Sequence, residues 1–202
     1  MTFWGRVVTF FPLIHFLAVL TAGFALLRTP GCGSLFLLVS ALYVFPLLSF
    51  RIHNCFFPLR EGISRLDLPI YSSWWGSHQF QAVFNACPAL EACLRIIPGL
   101  YSFWLRLWGS SIGRGVYWTS RVEVMDRSLL EVGYGAILGH KVILISHVIK
   151  RKANGKTILY VSKIKIGSQA FIGAGTKLGP GTEITPHQVL PVETLLTVNK
   201  KL

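Results

Sequence analysis

The stretch Ile166–Leu190, IGSQAFIGAGTKLGPGTEITPHQVL, decides how the rest of the chain is read. A branched aliphatic stands at every sixth position: Ile166, Ile172, Leu178, Ile184 and Leu190. Gly167, Gly173 and Gly179 follow the first three, and the small residues Ala170, Thr176 and Thr182 stand two places before the next. An amphipathic helix repeats about every 3.6 residues and a half-buried strand about every two, so neither produces this beat. A fixed short repeat points instead to a solenoid. Six residues give one short strand and one turn, and three such units close a triangular coil of a parallel β-helix. The aliphatic and the small residue point inward, and glycine stands near the corner where the backbone bends.

The beat extends backwards. It begins at Ile112, Trp118 and Val124, slips by two, and resumes at Val132, Leu138 and Leu144 with Gly133 and Gly139 in place. At Lys150 it fails, to return at Ile158 and Tyr160 and lead into Ile164 and Ile166. One rung therefore carries about ten extra residues, placed at 148–159 and containing KRKANGK from Lys150 to Lys156. So charged a segment protrudes, and a protruding loop on a rigid solenoid is a usual place for function. Beyond Leu190 the repeat is lost, and Pro191–Leu202 is expected to cap the open end, since a bare edge invites pairing with other chains.

Ahead of the repeat the chain changes character. A mean hydropathy of +0.53 and 52% hydrophobic residues are too apolar for an ordinary soluble domain of 202 residues. Residues 7–27 carry no Asp, Glu, Lys or Arg, and roughly 20 apolar residues cross a bilayer. A second apolar run reaches residue 50 after the turn at Arg28-Thr29-Pro30-Gly31. Residues 1–50 thus read as a transmembrane helical hairpin, not a cleaved leader, because a second span follows directly. Pro12 and Pro46 are expected to kink it, and His15 to be packed within it. Arg51, Arg60 and Arg65 follow the second span, which places the C-terminal domain in the cytoplasm of a multi-pass inner (cytoplasmic) membrane protein. In residues 51–109, arginines alternate with Trp, Phe and Tyr while Pro58, Pro69, Pro88 and Pro98 divide the run, the pattern of interfacial helices or of an aromatic collar. Residues 110–202 are the β-helix. The fold class is therefore mixed membrane/β. Cys32, Cys55, Cys87 and Cys93 form no CxxC and are expected to be free, mostly buried thiols.

The net charge of +12 suits anionic lipid, phosphate or CoA-like groups. Nucleic acid would also attract it, but no nucleic-acid-binding module is present. Walker, GxGxxG and HExxH motifs are missing, and the letters G-x-S-x-G occur only at Gly109–Gly113, where the six-residue beat begins, so hydrolase, nucleotide-hydrolase and dehydrogenase readings lack support. Two histidines fall on corners of the repeat: His140, two past Leu138, and His147, three past Leu144 and just before the inserted segment. Imidazole is the side chain suited to proton transfer near neutral pH. If three rungs make a coil, Leu144 lies over Val124, and His147 falls in the column of Arg127, next to Asp126. A carboxylate there would fix the imidazole's tautomer. The bland alternatives are surface histidines and a solvated turn aspartate. No metal site is expected, because zinc needs three or four converging ligands.

Ile166–Ile184 resembles the hexapeptide-repeat acyltransferases, left-handed β-helix enzymes that are usually homotrimers. EGISRLDLPIYSSWW (Glu61–Trp75), FWLRLWGSSIGRGVYWTS (Phe103–Ser120), Asp126, VGYGAILGHKVILISH (Val132–His147) and the charged loop are similar in order to the C-terminal region of ε-poly-lysine-synthetase-type peptide synthetases. The resemblance implies acyl transfer from acyl-CoA or an acyl-carrier-protein thioester, without a bound cofactor, to a lipid-linked or glycan acceptor at the membrane. His147 would be the base, with Asp126 beside it and His140 as the other candidate. Lys150, Arg151 and Asn154 in the loop, with Lys163, Lys165 and Lys177, are candidates to meet the donor's phosphates, or else solvated surface residues. The non-catalytic alternative is a trimeric β-helix scaffold at the membrane.

Overall fold

The computed structural model describes residues 2–202. The chain divides into two compact units, Met1–Leu59 with Pro69–Val83, and Arg60–Leu68 with Phe84–Leu202.

The first unit holds α1 (Phe3–Thr9), α2 (Phe11–Arg28), α3 (Cys32–Val39), a π turn at Ser40–Val44 and α4 (Phe45–Phe56). They form two near-continuous runs, Phe3–Arg28 and Cys32–Phe56, each long and apolar enough to cross a membrane. The irregularities sit beside Pro12 and Pro46, where a missing N–H and the ring's bulk disturb the helical ladder. His15 is fully buried, its Nε2 3.1 Å from the carbonyl of Ala41 on the other run. The second run does not stop at residue 50. Nothing in RIHNCF breaks a helix, so α4 continues until Phe57, which Pro58 disfavours from helical geometry. Arg51 thus lies inside the helix and not after it.

In the second unit, three strands per coil stack into three parallel sheets. Coil one is β2 (Ser111–Ile112), β3 (Tyr117–Trp118) and β4 (Glu123–Val124). Coil two is β5 (Leu130–Val132), β6 (Ile137–Leu138) and β7 (Ile143–Leu144), and coil three is β10 (Ile164–Ile166), β11 (Phe171–Ile172) and β12 (Lys177–Leu178). Coil four is β13 (Glu183–Ile184), β14 (Val189–Leu190) and β15 (Leu195–Leu196). Face one is β2-β5-β10-β13, face two β3-β6-β11-β14 and face three β4-β7-β12-β15. The inward aliphatics stack in register, Val124 on Leu144 on Leu178, and these three are at most 1% exposed. Ala170, Thr176 and Thr182 are fully buried as well.

Gly173 is needed for space, not for its torsion angle: a Cβ there would lie 2.5 Å from the carbonyl carbon of Pro191 in the next coil. The left-handed residue that turns the chain comes two places later, as at Gly175 (φ 73°). Gly115, Gly135, Lys141, Gln169, Gly181 and His187 take the same place, third after the inward aliphatic.

Three expectations are corrected. Pro191–Leu202 does not abandon the repeat: β15 pairs with β12, and Lys201 bridges to Glu183, so the coils run on through Leu196. Segment 148–159 is no irregular loop but most of a β-hairpin, β8 (His147–Arg151) and β9 (Thr157–Val161), to which β1 (Gly62–Arg65) adds an antiparallel third strand. Ile158 and Tyr160 belong to that hairpin, and the coil resumes only at Ile164. All four cysteines are free and exposed rather than mostly buried.

The region before the repeat is helical apart from β1: α5 (Ser73–Ala86), which runs from the first unit into the second, α6 (Ala89–Arg95) and α7 (Leu100–Trp108). Part of its aromatic-plus-arginine pattern is used inside the protein. In α7, Tyr101, Trp104, Leu105 and Trp108 recur at helical spacing and are all buried. Trp104 and Trp108 meet edge to face at 5.7 Å, and Tyr101 meets Trp118 of coil one at 5.2 Å. Gly109 ends α7 in the left-handed conformation, with its N–H bonded to Arg106 and that of Ser110 to Leu105. Arg95 and Arg106 donate to the carbonyls of Ser120, Val122, Ile112 and Gly113, tying these helices to coil one.

Candidate active site

The corner between faces three and one is where the beat fails, twice. In coil one the residues after Val124 include two more than a standard turn, and in coil two the hairpin leaves at the same corner. Arg127 and His147 both occupy the third place after an inward aliphatic, yet neither takes the left-handed angle. His147 instead opens β8, paired with Val161. Its side chain is therefore aimed by a strand and not by a turn.

Because Val124 lies under Leu144, Asp126 is brought under Ser146 and His147. Asp126 Oδ2 lies 2.7 Å from His147 Nδ1 and accepts a second bond, at 3.0 Å, from the N–H of Ser146. The carboxylate is 2% exposed and the imidazole 17%, so the acid is enclosed while the ring reaches solvent. A carboxylate can only accept, which assigns the proton to Nδ1 and leaves the lone pair on Nε2. Such an imidazole can take a proton at Nε2, and the resulting cation would be held by Asp126.

Beneath the pair lies a group that the repeat pattern does not announce. Arg127 is 1% exposed, and its Nε and Nη2 donate to the two carboxylate oxygens of Glu91 at 2.7 and 3.0 Å. Its Nη1 donates to Asn85 Oδ1 at 2.8 Å, and its Cζ lies 5.2 Å from the Phe84 ring centre. Two-toothed pairing satisfies a buried guanidinium better than one contact could. Ser110 accepts from the Leu130 N–H and donates to the Arg127 carbonyl, while Ser146 Oγ donates to the Leu129 carbonyl. The backbone around Asp126 is thereby fixed from both sides. One signal for Glu91 was available: an acid within PALEACLR, in a chain with only eight Asp and Glu, needs a partner if it is buried.

The other candidates do not gather here. His140 is exposed at the corner between faces two and three, a different corner from His147. Lys150 and Arg151 are exposed on β8, and Asn154 accepts from the Lys156 N–H in the hairpin turn. Lys163 pairs with Glu131 at 2.9 Å, which raises its pKa, and Lys165 pairs with Glu183 at 3.3 Å. Lys177 is exposed on face three. The hairpin is held from outside by Glu61, which accepts from Ser162 Oγ and the Lys163 N–H, and by Asp67, which accepts from the Thr157 N–H.

No protein-family profile matches the chain, and no curated protein does. Among solved structures, the neighbours include three acetyltransferases. A maltose O-acetyltransferase from Clostridium difficile is 19% identical over 57% of this chain and 75% of its own, with a TM-score of 0.37. A hexapeptide-repeat acetyltransferase from Vibrio cholerae is 12% identical over 57% of this chain and 87% of its own, with a TM-score of 0.27. The serine acetyltransferase isoform 3 of Entamoeba histolytica, solved with cysteine, is 12% identical over 80% of this chain and 71% of its own, with a TM-score of 0.28.

Proposed function

We propose that this chain is a membrane-anchored acyltransferase that moves an acyl group, such as acetyl, from a thioester donor to a hydroxyl or amine of a lipid-linked or membrane-proximal acceptor. The observation that carries the reading is the 2.7 Å contact between a buried carboxylate and a part-exposed imidazole at the one corner where two coils depart from the repeat. His147 Nε2 takes the proton from the acceptor as its oxygen or nitrogen attacks the thioester carbonyl. The tetrahedral intermediate collapses, the carbon–sulfur bond breaks, and the thiolate leaves with the proton returned from the imidazolium. Asp126, in contact with Nδ1, steadies the cation.

The anchor is supported by the two apolar helical runs, and cytoplasmic placement of the β-helix suits a CoA or carrier-protein donor. Association into a trimer of left-handed coils is supported by face two. Its outward residues Tyr117, Ile137, Phe171 and Val189 stack in register and are all exposed. On face one the matching column is Ser111, Glu131, Lys165 and Glu183. A continuous exposed apolar ladder marks an interaction surface. His147 stands at the corner joining the other two faces, so association and transfer are separable.

The test is transfer of label from acetyl-CoA to a membrane lipid extract by detergent-solubilised protein. His147→Ala should abolish it and His140→Ala leave it unchanged. Full activity in His147→Ala would overturn the assignment of the base, and no transfer or donor binding by the wild type would remove the enzyme reading. Phe171→Glu should shift the particle to a smaller mass in light scattering while its circular dichroism is unchanged.

A further inference from the structure

A cleft elsewhere in the second unit takes no part in the transfer described above, although its lining reaches Tyr117 of face two. Where α6 leads into α7, and coil one turns from face one to face two, the protein encloses a cleft of about 570 Å³. Arg95, Arg106 and Arg114 line it, and no Asp or Glu does. Arg95 and Arg106 are fixed by the backbone carbonyls they bind, so their guanidinium groups are already oriented before any ligand arrives. Arg95 also lies flat against Tyr101, its Cζ 4.1 Å from the ring centre. Tyr101 is 2% exposed, and its hydroxyl proton has no acceptor among the described residues, Arg95 beside it being a donor. Burial, aided by the charge of Glu91, pushes that phenol's pKa up, so it is a neutral donor. A buried donor without an acceptor costs stability that an anionic oxygen in the cleft would recover. The rings of Tyr117 and Trp118 also line it, Trp118 against Tyr101.

We propose that this cleft binds a phosphate ester, its oxygens held by Arg95, Arg106, Arg114 and the Tyr101 hydroxyl, and its organic part lying against Tyr117 and Trp118. Three guanidinium groups with no acid among them call for more charge and more acceptor oxygens than one carboxylate offers, and the fork geometry of arginine matches phosphate. The volume falls in the range of small-molecule sites and exceeds what a bare phosphate fills. The site lies at a different corner from Asp126 and His147, so it stands or falls apart from acyl transfer.

Two sources share this chemistry, a soluble phosphate ester and a lipid headgroup. Thermal unfolding of the detergent-solubilised chain is followed with inorganic pyrophosphate, with dihexanoyl phosphatidate, and with dihexanoyl phosphatidylcholine. A ligand that binds the native state raises the melting temperature with its concentration. Pyrophosphate or phosphatidate should protect the wild type and phosphatidylcholine should not. Protection by pyrophosphate alone identifies a soluble ester, and stronger protection by phosphatidate identifies a lipid. Arg114→Gln, at an exposed turn, and Tyr101→Phe, which removes one oxygen, should each weaken the apparent affinity about tenfold. Lys165→Gln, a cation outside the cleft, should leave it unchanged. Equal protection of the wild type, Arg114→Gln and Tyr101→Phe, or protection of none by either anion, overturns the proposal.

Discussion

The coils after Ile164 and the corner at Asp126 and His147 are built from the same repeat and behave oppositely. In the later coils every third residue after an inward aliphatic turns left-handed, each glycine sits against the coil above, and the charged side chains face outward. Those coils are interchangeable, and nothing in them concentrates chemistry. At the interrupted corner the left-handed turn is omitted twice, and the chain uses the freedom to bury Arg127 against Glu91 and Asp126 against His147 and the Ser146 N–H. Regularity supplies the frame, and departure from it brings the buried polar groups together. A solenoid can accommodate this because each coil contacts only its neighbours, so an irregular corner does not propagate.

The contrast can be tested by its consequences. The largest effect is expected at the corner: His147→Ala should lower transfer by about 10²–10⁴-fold with little change in melting temperature, the usual worth of a general base. Asp126→Asn should lower transfer too, because the tautomer of His147 is no longer imposed. Next comes Glu91→Ala, which leaves Arg127 buried without its carboxylate and should cost about 3–5 kcal/mol in chemical denaturation. If it costs no more than a surface substitution, the pair does not hold the corner together.

In the regular coils, Gly173→Ala should cost about 1–3 kcal/mol by overpacking against Pro191, with transfer per folded molecule unchanged. A neutral result would mean the coils are not stacked this closely. The smallest effect belongs to the exposed pair of Lys165 and Glu183, where Lys165→Ala should leave melting unaltered at neutral pH. Hydrogen bonds from Lys201 and Lys165 hold the Glu183 carboxyl below its ordinary pKa. Whatever stability it lends is therefore present above the unfolded carboxyl's pKa and lost as pH falls through the lowered folded value. A melting temperature that rose on acidification through that range would contradict the pairing.

The sequence by itself determined the coil and its register. Inward positions must be aliphatic because they are sealed between coils, and glycine is forced wherever the next coil's backbone lies against it, so the pattern shows directly in the residues. Counting three rungs from Leu144 to Val124 was enough to set Asp126 beside His147, because parallel strands stack residue on residue. It also foretold the two apolar runs, whose length and lack of charge are local properties. Only the tertiary structure decided the rest. That the charged insertion is a hairpin joined by Gly62–Arg65 depends on strands about a hundred residues apart, and no local pattern records pairing at that distance. The continuation of the coils past Leu190 was hidden because exposed end residues need not be aliphatic in every place. The arginine under the dyad was unreadable for a similar reason. At a corner of the repeat Arg127 looks like any solvated charge until its partner, here Glu91 across 36 residues, is seen beside it.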